Sequence, residues 1–181
     1  MAAPPRRRTN PPTLTPAQAR DLYAYNERVY TRFSRAVRRR GDRAARRRRG
    51  IGHESLFATL AHILNVHEVW VVYIVQGRSS DAELTALFED RTRHPKDWAG
   101  LRRYERRVWS AIHAYLAGVT PRKLRTPVRA GWMPGCYVAS DGLWQASFEQ
   151  AHHIGEIIGA LWQDDAASPP MTWIQNRRPA R

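Results

Sequence analysis

An all-α four-helix bundle is the fold this sequence predicts, and three observations predict it. Four long stretches repeat apolar residues at steps of three and four. Capping and stop residues bound those stretches. No stretch carries a strong strand pattern, so helices must pack on helices. A short extra helix and an irregular connection between the third and fourth long helices complete the expected architecture. A chain of 181 residues, 43% hydrophobic, suits one domain with a full core plus tails. The expected division is a disordered Pro- and Arg-rich tail over 1–14, a bundle domain over 15–165 and a C-terminal tail over 166–181.

The first helix opens at Thr15-Pro16, an N-cap followed by proline at the first helical position, and runs to about Arg39. Leu22, Tyr25, Val29, Phe33 and Val37 form its buried stripe, flanked by Tyr23 and Tyr30. The second runs from Glu54 or Ser55 to Gln76, with Leu56, Leu60, Ile63, Trp70 and Ile74 on one face. Further apolar residues leave little polar surface elsewhere, so this helix is expected to be central and covered on several sides. Gly77 ends it. A short helix follows to about Glu89, with Leu84, Leu87 and Phe88 as its apolar face, and Thr92 to Asp97 is a connector. The third long helix spans about Pro95 to Ala117, with Trp98, Leu101, Tyr104, Val108, Ile112 and Tyr115 at helical spacing and Gly118 as its stop. Residues 120–139 are rich in Pro and Gly and read as an irregular connection suited to a cavity mouth. Ser140 is the expected N-cap of the fourth helix, Asp141 to Gln163, which packs through Leu143, Ala146, Ala151, Ile154, Ile158 and Leu161. Met171 to Ile174 reads as a terminal strand or an apolar clip, and Arg177 to Arg181 as a basic tail.

Charge and cysteine content narrow the function. Lys and Arg number 30 against 16 Asp and Glu, a formal net charge of +14, which predicts attraction to polyanions without naming a partner. The densest base lies in Arg35–Arg49. That tract reads either as a nonspecific nucleic-acid or other phosphate-binding patch or as a solvated helix end and loop; no aromatic–basic interleave for base stacking accompanies it. A single cysteine, Cys136, excludes an intrachain disulfide and fits a cytoplasmic location. It reads as a small buried hydrophobe or as a reactive thiol beside a metal site. The N-terminus lacks the apolar segment of a secretory signal. The most apolar run, Leu56 to Val75, is interrupted by His62, Asn65, His67 and Glu68, so no membrane span is expected.

The chemistry concentrates in the fourth helix. Glu149 and His153 are four apart and leave the helix on one face, the spacing at which a helix presents two ligands to one metal ion. The third ligand is expected from the central helix. His62 and His67 lie there, five apart and so about 140° apart around the axis, and only one can face the site. His62, Glu149 and His153 would leave a coordination position open, as catalytic metal sites do. Glu156, nearly on the face of Glu149, and His152 are the weaker candidates for acid–base or supporting roles.

Two segments resemble the DinB family of metalloenzymes, also called DinB/YfiT-like. Leu60 to Trp70 is similar to that family's pattern of His followed eight residues later by Trp. Glu149 to Ile157 is similar to its His-x-x-His-His-Arg-Gly-Gln-Ile. The resemblance covers roughly Thr15 to Gln163. It implies a bundle binding a divalent ion such as zinc, nickel, manganese or iron, often as a homodimer. It implies His62 as the first ligand and His153 as the last. Glu149 stands where the family carries its second His, and Ile154 and Glu156 replace its Arg and Gln. The activities implied are metal-dependent hydrolysis or transfer dependent on a low-molecular-weight thiol. The alternative is a non-catalytic bundle that binds nucleic acid or another polyanion through its Arg-rich segment.

Overall fold

The protein is described by a computed structural model at residues 13–78, 80–89, 95–133 and 135–176. Its order is α1 (Pro16–Arg39), α2 (Asp42–Arg46), α3 (Leu56–His67) continuing as a π-helix (Glu68–Ile74), α4 (Asp81–Glu89), α5 (Trp98–Ala117), α6 (Pro121–Leu124), β1 (Pro127–Val128), β2 (Tyr137–Val138), α7 (Ala139–Gln163) and α8 (Trp173–Asn176). The four long helical stretches predicted from periodicity are all present. The Pro/Arg-rich residues 1–12, the connector residues 92–94, the Phe88 side chain and the tail 177–181 lie outside the described residues.

Local chemistry explains the helix ends. Thr15 Oγ1 accepts from the Gln18 N–H at 3.2 Å and Gln18 Oε1 accepts from the Thr15 N–H at 2.9 Å, a reciprocal cap ahead of Pro16. Asp97 caps α5 by accepting from the Gly100 N–H at 2.6 Å. The start of α7 differs from expectation. The cap there is the Asp141 carboxylate, which accepts from the Val138 N–H at 2.8 Å. Ser140 is instead buried, and its hydroxyl accepts from the Leu14 N–H at 2.9 Å. Leu14 thereby joins the core at 8% exposure. The Met171–Ile174 segment is not a strand: α8 begins there and lies on α1, with Trp173 5.1 Å from the Tyr25 ring and Arg28 donating to the Asn176 carbonyl.

The main core joins α1, α3, α5 and α7. Tyr23 and Tyr30 are fully buried in it rather than flanking its stripe. On α7, Ala151 is exposed, and Gln150 and Ile157 take packing positions instead. A second cluster, including Val69, Ile74, Leu84, Leu87 and Val128, lies where α4 and the β-hairpin cover the end of the central helix. Leu56–Ile74, 19 residues long, is apolar enough to cross a membrane, and it is mostly buried inside the bundle.

That central helix changes pitch halfway. The Val75 N–H bonds to the Trp70 carbonyl at 2.8 Å, five residues back, so the turn is wide. Two contacts accompany the change. Buried Glu68 accepts from the Tyr104 hydroxyl at 2.7 Å and from Arg107, which ties the start of the π-helix to α5. At its other end α7 comes close: a Cβ on Gly142 would meet Val75 Cγ2 at 2.7 Å, so only glycine fits without a shift.

Candidate metal centre

Three histidines from three segments meet at one end of the α3–α7 seam. His62 comes from α3 and His153 from α7, their ring centroids 4.7 Å apart and nearly perpendicular. His53 comes from the loop before α3. It stacks on His62 at 3.6 Å and meets His153 edge-on at 5.1 Å. One ring nitrogen of each lies within 4.8 Å of the others. Three donors about 2.0 Å from one ion would sit about 3.4 Å apart, so small rotations close the set. The donor types and spacing fit a divalent first-row metal.

His153 is 6% exposed, and its Nδ1 lies 2.9 Å from Glu156 Oε2. The carboxylate accepts from Nδ1–H, which fixes the tautomer and leaves the Nε2 lone pair to ligate. Glu149 takes a different position. Its Oε1 accepts from Gln145 Nε2 at 2.8 Å, and its Oε2 stands 3.7 Å from His153 Nε2, at the edge of the imidazole group. His152 is exposed, with Nε2 3.7 Å from Glu156 Oε1, and forms a second candidate group with His153 and Glu156. That group draws on the Glu156 carboxylate already held by His153.

The loop that delivers His53 is fastened in several places. Its backbone closes on itself through Arg49 N–H to Glu54 carbonyl at 2.8 Å and Glu54 N–H to Ile51 carbonyl at 2.7 Å. Glu54, directly after His53, has a φ of 65°, a left-handed conformation that costs a non-glycine residue about 1 kcal/mol. A side chain at Gly52 would meet Glu156 Oε1 at 2.9 Å, so the glycine lets the loop approach that carboxylate. Arg49, whose side chain is 2% exposed, forks onto Asp164 at the end of α7 at 2.7 and 2.9 Å. That guanidinium holds the Asp164 carboxyl below its usual pKa range. Arg47 also reaches Asp164, Arg46 bonds to Asp42 at 2.8 Å and covers the Phe57 ring, and Arg48 bonds to Glu54 at 2.8 Å. With Arg40 3.9 Å from the same Asp164, five of the nine arginines in the 35–49 tract face carboxylates of the chain itself, a use that charge counting does not reveal.

A cleft of about 530 Å³ runs along the seam, and of the three histidines His62 lines it. His62, Val66 and Trp70 form one wall, and Asp141, Gln145 and Glu149 form the other. Trp132, Met133 and Tyr137, from the irregular connection, stand across its mouth. Cys136, in the connection just before β2, is exposed, which corrects the expectation of a buried residue.

His67 faces away from this centre, as its five-residue offset from His62 requires. Its Nε2–H donates to Gln150 Oε1 at 2.8 Å, deep in the core. Sequence reasoning did not find His53. It lies nine residues before His62 and outside any helical repeat, so a search for ligands at helical spacing passes over it. The Gly50-Ile51-Gly52-His53 run was the available signal: glycines that let a chain pack closely beside a side chain able to ligate.

The sequence model of one family, described as the DinB superfamily, matches residues 25–157, well over half of the chain and inclusive of all the centre's side chains. No curated protein matches the chain.

Proposed function

The chain belongs to the DinB superfamily, and from that premise we propose that it binds a divalent metal ion through His53, His62 and His153 and uses it in a hydrolytic or thiol-dependent transfer reaction. The observation that carries this reading is the meeting of three imidazoles from three segments, each nitrogen within 4.8 Å of the others. Neutral imidazoles gain little from such crowding, and protonated ones repel; a shared cation turns the arrangement into a bound state. A metal bound there would lower the pKa of a water or thiol enough to make a nucleophile near neutral pH.

The side chains around the centre divide the remaining work. Glu156 orients His153 through Nδ1. Glu149 stays on the cleft side, held by Gln145, with Oε2 placed to take a proton from a group entering the cleft or to join the ligands in the role the sequence suggests for it. The cleft walls would position a substrate beside His62, at the edge of the three-histidine group.

Metal analysis of protein purified without chelator tests the reading. Wild type should retain close to one ion per chain, and His62→Ala and His153→Ala should retain almost none. His53→Ala and Glu149→Gln then separate the two choices of third ligand, because the true ligand costs far more metal. Equal metal in wild type and both α-helical histidine variants would overturn the proposal.

A further inference from the structure

The cleft beside the histidine centre has a charge pattern at odds with the rest of the chain. The protein carries +14, yet among the described residues no Lys or Arg lines the cleft, while the carboxylates Asp141 and Glu149 do. Three aromatic rings, Trp70, Trp132 and Tyr137, share the same space. Trp132 is 44% exposed and Tyr137 36%, so both rings are accessible from the cleft. Carboxylates among aromatic faces are the surroundings that favour a positive group, since the ring faces and the anions both attract it.

Position along α7 separates two ends of the cleft. Asp141 lies eight residues before Glu149, about 12 Å along the helix axis. Glu149 is at the histidine end, within 3.7 Å of His153. Asp141 is at the other end and lines the cleft together with Trp132 and Tyr137. Asp141 is anchored by the Val138 N–H at 2.8 Å, so its carboxylate has a fixed place.

We propose that this cleft takes an organic cation: a small substrate with an ammonium-type head seated among Trp132, Tyr137 and Asp141 and an apolar body running along Trp70 toward the histidines. The inference rests on the metal-centre reading for the chemistry at the histidine end, while recognition of the head depends on the distal end alone. A carboxylate or phosphate in place of that head would meet the Asp141 carboxylate, with no Lys or Arg among the described lining residues to offset it. A volume of about 530 Å³ suits a ligand of metabolite size.

Two probes of one shape test it on the full chain by titration calorimetry: choline and its neutral isostere 3,3-dimethylbutan-1-ol. Choline should bind about tenfold more tightly than the alcohol. Trp132→Ala, at an exposed ring, and Asp141→Asn, which keeps an acceptor for the Val138 N–H, should each bring the choline-to-alcohol ratio to within about twofold. A ratio near one in wild type, no binding of choline, or an unchanged ratio in both variants would overturn the proposal. Metal content measured on the same samples keeps the two readings apart. A choline preference without metal removes only the metal centre, and metal without a choline preference removes only this inference.

Discussion

His62 and His67 sit five residues apart on one helix and meet opposite surroundings. His67 is fully buried, with its Nε2–H on Gln150 and its ring against Tyr23 and Trp109. The polar chain continues inward from there: Gln150 donates to the Asn26 carbonyl at 3.0 Å, Asn26 to Ser147 at 2.8 Å, and Ser147 to the Leu143 carbonyl at 2.9 Å. Every link is a neutral group, and the network ties α3, α7 and α1 together inside the core. His62 looks the other way, onto two more imidazoles and an open cleft. One helix thus separates a sealed histidine from an accessible cluster, and rotation around its axis decides which is which.

The largest expected effect tests the sealed side. Burial lowers the His67 pKa to about 4 from its usual 6.5. Between those values the unfolded chain binds a proton that the folded chain does not, so stability falls as pH drops from 6.5 to 4. The window is worth about 3 kcal/mol. Urea unfolding of metal-free protein at several pH values should show that slope, and His67→Gln should flatten it. An identical slope in the variant would mean that the sealed histidine does not differ from the open ones.

The next effect tests how the open side is held. His53 is not on a helix and depends on the Arg49–Asp164 fork to bring its loop to the end of α7. Asp164→Asn should cost about 2 kcal/mol, the usual range for hydrogen bonds to charged groups. It should also weaken metal binding, while the His67 slope stays as it was. The depressed Asp164 pKa gives the sign of its pH dependence: its contribution is complete above the ordinary aspartate value near 3.8 and is lost as pH falls through the lower folded value. Metal affinity unchanged in Asp164→Asn would show that the loop needs no fastening.

These two regions also mark what the sequence could show. Helix boundaries were legible because capping chemistry and apolar spacing are local: α1 runs over the residues that Thr15-Pro16 and the Leu22-to-Val37 stripe define. The opposed faces of His62 and His67 followed from helical rotation alone. His53 was not legible, because its placement depends on Gly52, on Glu54 in a left-handed conformation and on an ion pair 115 residues distant in sequence. The π-helix was hidden for a related reason: a 3.6-residue repeat over Leu56 to Ile74 still reads as apolar when the turn widens. The role of Arg49 could not be told from that of Arg48 by composition, since only the fold sets one against Asp164 and leaves the other in solvent.

A smaller effect sharpens the link from Glu156 to the centre. Glu156→Gln keeps an acceptor near His153 Nδ1 but removes its charge. Supporting carboxylates of this kind are worth about 10- to 100-fold in metal affinity, and the lower figure suits a partly exposed group. Competition with a chelating dye should show a loss of about tenfold, or about 1.4 kcal/mol, with thermal stability of the metal-free protein nearly unchanged. A larger loss in stability than in affinity would make Glu156 part of the fold, like Gln150 on the sealed side, and the contrast between the two regions would shrink.

Arg48→Ala carries the smallest expected effect, and its smallness is the point. Arg48 and Arg49 are adjacent, and each bonds to a carboxylate, Arg48 to Glu54 beside His53 and Arg49 to Asp164 at the end of α7. Arg48 is 80% exposed and its partner Glu54 58%, so water screens the pair and competes for both groups. Exposed pairs of this kind contribute about 0.5 kcal/mol or less. Arg49 is 2% exposed and reaches Asp164 with both terminal nitrogens. Arg48→Ala should therefore leave both unfolding and metal affinity within error of wild type, where Arg49→Ala should weaken both. An equal loss from the two would mean that the loop is held by its own turn, with Glu54 as the fastening, and that the end of α7 has no part in presenting His53.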